Sequence, residues 1–389
     1  MSVGRGVALT CAIILMVLWC AIWCVHLLAL FYGKWRLHYT PPVSPEDLQG
    51  VSIIKPLTGV DPHLYINLET FFKLKYPAYE LLFCVQDDSD PAILVVQSLI
   101  AKYPKVDAKL FIGVKIVGPN GKINNMIRAY EASKYDLIVV SDSNLRMNDD
   151  TLTDMVASLS PKVGLVHQMP YVCDRKGFAA VYEKVYFGTQ QARNYLSANC
   201  AGVNCTTGMS CLMRKDVLEE AGGMAAFGKY LAEDYFFAEA FREKGYSTVI
   251  SGQPALQNCG SYSVDSFHQR LIRWARLRSS MIPVIIILEP ITECMLMGVL
   301  TSWAAQYLFS VSPLAFFLLH VLCWFLIDYM LMRVIENGPL KISKFEFLVA
   351  WLLRESMALY LTMRAHSTSK IVWRNRKYRV RWGGLAEEV

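Results

Sequence analysis

Hydrophobic positions fall along this chain in three textures. Between Arg5 and Lys34 runs an unbroken apolar stretch without one Asp, Glu, Lys or Arg. It exceeds the ~20 residues that a helix needs to cross a bilayer core. From about Gly50 to Leu256 the apolar residues come instead in short runs separated by helical patterns. The last third is apolar again. Glu293 and Asp328 bracket an uncharged stretch, Cys294–Ile327, long enough for two short spans meeting near Ser310–Pro313. A further apolar segment, Phe345–Met363, carries Arg354-Glu355 in its middle, and charges at membrane depth face protein or water and mark function. That segment spans or is re-entrant.

The middle texture predicts strands over Val51–Ile54, Glu80–Val85, Leu137–Ser141, Val163–Gln168 and Thr248–Ile250, short and rich in Val and Ile. Helical spacing predicts His63–Leu74, Ala92–Lys102, Ile123–Ser133, Thr151–Leu159 and Phe178–Leu196 between them. Alternation of this kind implies an α/β domain with a mostly parallel sheet covered on both faces. Two more helices are legible. Tyr230–Gly245 places Glu233-Asp234 in the first turn of an amphipathic helix, ahead of Tyr235, Phe237, Ala238 and Phe241 and stopped by Gly245. That position predicts acid head groups turned from the core, with the helix dipole favouring their ionised form by roughly 0.3–1 kcal/mol. Ser263–Arg278 groups Phe267, Leu271, Trp274 and Leu277 on one face beside Arg270, Arg273, Arg276 and Arg278, the pattern of a basic helix lying on a bilayer surface.

Charge and cysteine usage then orient the molecule. Lys34 and Arg36 come directly after the first apolar run, against a lone Arg5 before it, so the positive-inside tendency puts the chain beyond Lys34 in the cytosol. Trp19, Trp23, Phe31 and Tyr32 stand where a cleavable leader would need small residues, which predicts a retained anchor. Eleven cysteines, scattered without metal-ligand or disulfide spacing, fit a reducing compartment. Asn204-Cys205-Thr206 matches a glycosylation acceptor that the cytosol would leave unused. The net charge of +6 is concentrated at the end, where six basic residues fall between Lys370 and Arg381. In a membrane protein such a run reads as contact with anionic lipid headgroups rather than nucleic acid. The expected organisation is an anchor over 1–33, an α/β domain over 34–262, an interfacial helix over 263–280, a membrane region over 281–365 and a basic tail over 366–389.

Ligands of open α/β sheets collect at the carboxyl ends of the strands. Gln86-Asp87-Asp88-Ser89-Asp90-Pro91 comes after one predicted strand and Ser141-Asp142-Ser143-Asn144 after another. The first is also ordinary turn and cap chemistry. Asp142, an acid directly ending an apolar strand, suits a divalent cation bound through one carboxylate plus substrate phosphates. Gly121-Lys122-Ile123-Asn124-Asn125 opens a helix with a lysine, suited to an anion.

In order and spacing, QDDSDPA, SDS, AEDY and RLIRW resemble the D, D, D, (Q/R)xxRW pattern of the inverting glycosyltransferases that include cellulose, hyaluronan and chitin synthases. The connecting text, including KPLTGVDPHLYINLETFF, GKINNMI and WLLRESM, is similar to the ceramide glucosyltransferases within that group. The resemblance implies a GT-A-like fold with N- and C-terminal transmembrane helices, and transfer of glucose from UDP-glucose to ceramide at the cytosolic face of the Golgi membrane. Position by position, it implies Asp87, Asp88, Asp90 and Lys122 at the nucleotide and Asp142 as contact for Mg or Mn on the diphosphate. It makes Asp234 the general base and sets Arg270, Arg273 and Trp274 at the diphosphate and acceptor. One departure stands out: the usual D-x-D reads Asp142-Ser143-Asn144, one carboxylate fewer for the metal. Other lipid acceptors such as polyprenyl phosphate, polysaccharide synthesis and a non-enzymatic membrane scaffold are the competing expectations.

Overall fold

The computed structural model describes residues 2–173, 175–260, 263–368, 370–373 and 376–389. The chain forms two compact units. A sheet unit gathers residues 35–175, 201–263 and the C-terminal segment from 370; a helical unit gathers the first 34 residues, 176–200 and 264–369.

The sheet unit is built on seven strands: β1 (Val51–Leu57), β2 (Tyr79–Val85), β3 (Ala108–Ile112), β4 (Leu137–Ser141), β5 (Val163–His167), β6 (Ser210–Arg214) and β7 (Ser247–Ile250). Their spatial order is β3-β2-β1-β4-β6-β5-β7. The first four run parallel, β5 and β7 pair parallel, and β6 runs antiparallel to both of its neighbours. All five expected strands are present. The two not expected have physical reasons to be quiet in sequence. β3 is a half-exposed edge strand containing Lys109, and Ser210–Arg214 is a short run of mixed side chains.

Because β1 and β4 are buried on both faces, successive residues feed opposite cores. Ile53, Phe83 and Val139 meet Leu68, Phe71, Val96 and Leu152 on one side. Ile54, Cys84 and Val140 meet Ile123, Ile127, Phe237 and Phe241 on the other. Three short segments, Leu145–Arg146, Pro170–Val172 and Ala255–Gln257, form a small sheet beyond the end of β4. Lys370–Trp373, Arg376–Val380 and Ala386–Glu388 form an antiparallel sheet where only a basic tail was expected. Arg374 of that basic run lies outside the described residues.

In the helical unit, the helix Ser2–Arg36 is succeeded by Phe178–Tyr186, a π-turn at Phe187–Gln191, and Ala192–Cys200. The expected basic helix runs from Val264 to Met281. It buries Phe267, Leu271, Ile272 and Ala275, so its inner face is turned from the expected one and leaves Trp274 half-buried. Cys294–Phe309 and Pro313–Glu336 meet where expected, at a left-handed Ser310 and the Ser312-Pro313 start signal. Among the described residues two helices are long and apolar enough to cross a membrane, Gly4–Arg36 and Pro313–Glu336. A pair bent by 75°, Ile285–Ile291 with Cys294–Phe309, supplies a third if it counts as one span. Phe345–Met363 lies within the helix Lys344–His366, opened by a Ser343/Glu346 capping box.

Arg354 and Glu355 of that last helix are buried in protein. Arg354 pairs with Glu355 and Thr189, and its Nη2 lies 2.9 Å from Asp328 Oδ2. Asp328 also accepts from Trp351 Nε1 at 2.8 Å, and its Oδ1 lies 3.0 Å from His26 Nε2. These buried charges therefore hold the first helix, Pro313–Glu336 and Lys344–His366 to one another.

Candidate active site

The carboxyl edge of the parallel strands carries a cluster centred on Lys122. Asn120 caps the helix Gly121–Ala132, its Oδ1 accepting from the backbone of Lys122 at 2.8 Å and of Ile123 at 3.2 Å. Capping fixes the direction in which Lys122 leaves the helix. Its Nζ lies 2.9 Å from Asp142 Oδ1 at the end of β4, 3.0 Å from Glu233 Oε1, and 2.8 Å from the Gly208 carbonyl to which it donates. Three segments far apart in the chain are joined by one ammonium. Burial pulls the Lys122 pKa down, yet Asp142 and Glu233 outweigh it and hold the group well above its ordinary value. Lys122 is a permanent cation.

Asp234 behaves differently from the acid before it. The helix runs from Glu233 to Glu243, and the expected outward pair is split. Glu233 is buried and bound by Lys122 and by Asn120 Nδ2 at 2.8 Å, because its first-turn side chain points back into the sheet edge. Asp234 is half-buried and makes no ion pair among the described residues. Burial, and then the negative charge of Glu233, push its carboxyl up to about 7, against the pull of Lys122. The helix dipole expected to keep it strongly acidic is overcome by desolvation. Gly208 packs on this carboxylate: a Cβ there would stand 3.2 Å from Asp234 Cγ.

The strand end under Asp142 is braced from below. Lys55 of β1 is fully buried, donates to Ser141 Oγ at 3.2 Å and to the Asp142 carbonyl at 2.6 Å, and sits over the Phe71 ring. Asn125 Nδ2 donates to the carbonyls of Leu57 and Cys84, tying β1 to β2 near their carboxyl ends. Lys55, Asn120 and Gly208 were not singled out from sequence, and Glu233 was read only as half of an outward acid pair, without a role of its own. Asn120 before a Gly-Lys helix start is the one signal that was there to be read.

The remaining expected residues divide. Asp87, Asp88 and Asp90 come after β2 on the same edge, but among the described residues none hydrogen-bonds to the Lys122 cluster. Asp90 accepts from Gly59 N at 2.8 Å and Ala92 N at 2.9 Å, so it joins two loops and starts a helix, while Asp87 closes a turn onto Ser89. Arg270, Arg273 and Trp274 belong to the helix Val264–Met281 of the helical unit. There Arg270 pairs with Glu183 at 3.1 Å and lies over Trp274, 4.5 Å from its ring centre. Arg273 is half-buried beside them.

For a divalent cation the donor set is sparse. Among the described residues no three His, Cys, Asp or Glu side chains gather as a metal site. Asp142 offers one carboxylate, partly shared with Lys122. Asn144, in place of the second acid, keeps a buried Oδ1 without a hydrogen-bond partner while its Nδ2 donates to Cys259 Sγ at 3.2 Å. An all-protein cage does not fit, whereas a Mg or Mn ion held by one carboxylate and completed by phosphate oxygens and water does.

Comparison with known proteins gives the family. Ceramide glucosyltransferase 3 of Caenorhabditis elegans is 45% identical over 362 residues, covering 92% of this chain and 79% of that protein. A ceramide glucosyltransferase of Komagataella phaffii is 29% identical, covering 94% of this chain and 90% of that one. In fold, the chain is similar to a mannosyltransferase from Pyrobaculum calidifontis solved in complex with GDP-Man and Mn2+, with a TM-score of 0.52 at 16% identity. That likeness spans 90% of this chain and 99% of that one. Since the model of glycosyl transferase family 21 matches residues 21–386, nearly the whole sequence, this chain belongs to that family.

Proposed function

We propose that this enzyme transfers glucose from UDP-glucose to the primary hydroxyl of ceramide with inversion, giving a β-glucoside. The observation that carries the reading is Asp234, a half-buried carboxyl held near 7 beside a fixed cation and a fixed anion at the sheet's carboxyl edge. A base of that strength is matched to a hydroxyl nucleophile at neutral pH. Family membership and the naming of 45%-identical relatives support the choice of acceptor.

In this mechanism Asp234 takes the proton of the acceptor hydroxyl while its oxygen attacks the anomeric carbon. The bond from that carbon to the diphosphate breaks on the opposite face, and the electron pair leaves with UDP. Lys122 keeps Asp234 from becoming too basic to be ionised and fixes the Asp142 carboxylate. A Mg or Mn ion at Asp142 would supply charge neutralisation to the departing diphosphate. Asp87, Asp88 and Asp90 are assigned the nucleoside side. Arg270, Arg273 and Trp274 carry the diphosphate and acceptor roles that the (Q/R)xxRW resemblance implies. Catalysis is assigned to the cytosolic face of the Golgi membrane, where a soluble donor and a bilayer-bound acceptor are both in reach; the domain expected over 34–262 gives up residues 176–200 to the helical unit and gains the tail from 370.

The test is transfer from radiolabelled UDP-glucose by the purified protein in lipid, with ceramide, polyprenyl phosphate or no lipid as acceptor, with and without chelator. β-Glucosylceramide from the first arm alone is expected. Product from polyprenyl phosphate instead, or none from ceramide, overturns the acceptor assignment, and full activity in chelator overturns the metal.

A further inference from the structure

The C-terminal sheet joins two features that the reaction above does not use: a basic outer face, and an edge bonded to the loop in front of the acid pair. Its strands are registered so that Ile371 lies opposite Tyr378 on the buried face. On the outer face Lys370 lies opposite Arg379, and Val372 opposite Lys377. Like charges placed directly across a strand pair destabilise it, and Glu387, registered opposite Arg379 on the other side, offsets only part of that. Arg381 continues the row, and Trp382 beside it is 77% exposed. One acid, Glu387, shares the face and is bound by Arg381 at 2.8 Å; Glu388 is bound by Arg376 at 3.2 Å. Among the described residues no carboxylate pairs with Lys377 or Arg379. Four bases, one acid and an exposed indole make a surface complementary to anionic headgroups with an interfacial aromatic.

The edge of the same sheet reaches the site. Leu385 forms a bridge with Tyr230, and the backbone N–H of Ala386 donates to the Lys229 carbonyl at 3.1 Å. The Tyr230 carbonyl in turn accepts from Asn120 Nδ2 at 2.7 Å, the same amide group that holds Glu233. Tyr230 also stacks on Phe236, their ring centres 3.6 Å apart. From the last strand to Glu233 there are therefore one backbone hydrogen bond, within the Tyr230–Leu385 bridge, and one shared amide.

We propose that this sheet is a docking site for anionic lipid headgroups that braces the Lys229–Glu233 segment when occupied. Strands of three to five residues are marginal on their own. A ligand that binds only the formed sheet raises its population, and with it the share of molecules whose Glu233-Asp234 loop is pinned. The proposal rests on the reading of Asp234 for its catalytic consequence, not for the docking itself.

The full-length protein is reconstituted in neutral phosphatidylcholine bilayers and in bilayers with added phosphatidylserine, and backbone hydrogen exchange is monitored without donor or acceptor. Exchange in 376–389 and in 229–234 is expected to slow about tenfold with phosphatidylserine, the scale of one or two headgroup contacts. The double variant Lys377→Glu, Arg379→Glu should lose that slowing in both segments and keep wild-type transfer in neutral bilayers. Ala386→Pro should keep the slowing in 376–380 and lose it in 229–234. Equal exchange in the two bilayers, unchanged response of the double variant, or slowing confined to the tail in the wild type overturns the proposal. Equal slowing by soluble inositol phosphates in neutral bilayers overturns the lipid as its ligand. If no glucosylation occurs in any bilayer the catalytic reading fails, while the exchange result still judges the docking.

Discussion

Asp234 and Lys122 pull against each other, and the balance sets a measurable pH. With Asp234 held near 7, kcat/KM should rise with pH along an acidic limb whose midpoint is about 7. Lys122→Gln removes the cation that lowers Asp234 and leaves Asp142 and Glu233 uncompensated, so the limb should move upward by about one pH unit or more. A limb that stays put would show that Lys122 does not act through charge. Asp234→Asn should abolish transfer while nucleotide-sugar protection from proteolysis persists. The same variant should be more stable than the wild type at alkaline pH. The folded state binds this proton more tightly than the unfolded chain, whose ordinary value is 3.8, so wild-type stability is lost as pH rises from there through about 7. The difference in thermal midpoint should therefore be largest above 7 and vanish at acid pH. Asp142 and Asp234 could be picked out from sequence because each lies at the boundary of a clear element. Their partners could not: Asn120 and Glu233 are 113 residues apart, and nothing local in either predicts the bond.

Elements with strong periodicity were legible nearly to the residue, as at Ala92–Lys102 and Leu137–Ser141. Two-faced burial writes a continuous apolar run, and one-faced helix burial a 3.6-residue repeat, so both survive in a single sequence. Of the elements that were missed, β6 is buried but only five residues of mixed type, whereas β3 and the tail sheet bury little. The edge strand β3 and the tail sheet alternate charged with apolar residues, and in the tail the basic outer face dominated the composition and hid the inward Ile371, Tyr378 and Val380. The amphipathic helix Val264–Met281 was found but rotated, because small Ala275 rather than Trp274 takes the closest packing position against Ala365. At the element scale Asn120 holds a helix start and a loop together. Asn120→Ala should lower stability by about 1–2 kcal/mol through the lost cap and the unsatisfied Glu233. It should lower kcat more than the donor KM, because Glu233 and Tyr230 move with it. Asn120→Asp, which keeps the cap but repels Glu233, should restore the helix start without restoring kcat.

At the scale of the whole molecule the sequence announced its membrane helices by composition, but what orders them is polar. Arg354 and Glu355, read as charges that face protein or water, face protein, and Asp328, which pairs with Arg354, ends the uncharged stretch that marked the span. With His26 and Trp351 on the same carboxylate, three helices are registered by one buried acid. Apolar contacts alone would let such helices slide, since lipid competes equally for their surfaces. Asp328→Leu leaves Arg354 buried and short of a partner, and should cost about 3–5 kcal/mol, seen as a lowered thermal midpoint and protease sensitivity of the helical unit in detergent. Arg354→Met should cost a similar amount by stranding Asp328 and Glu355. If the pair acts by mutual compensation, the double variant should cost clearly less than the sum of the two. Strict additivity would mean that Asp328 is held by His26 and Trp351 instead, and that Arg354 serves Glu355 and Thr189 alone. The cycle separates these because Arg354 touches Asp328 through Nη2, and only the Asp328 term can vanish when both side chains are gone.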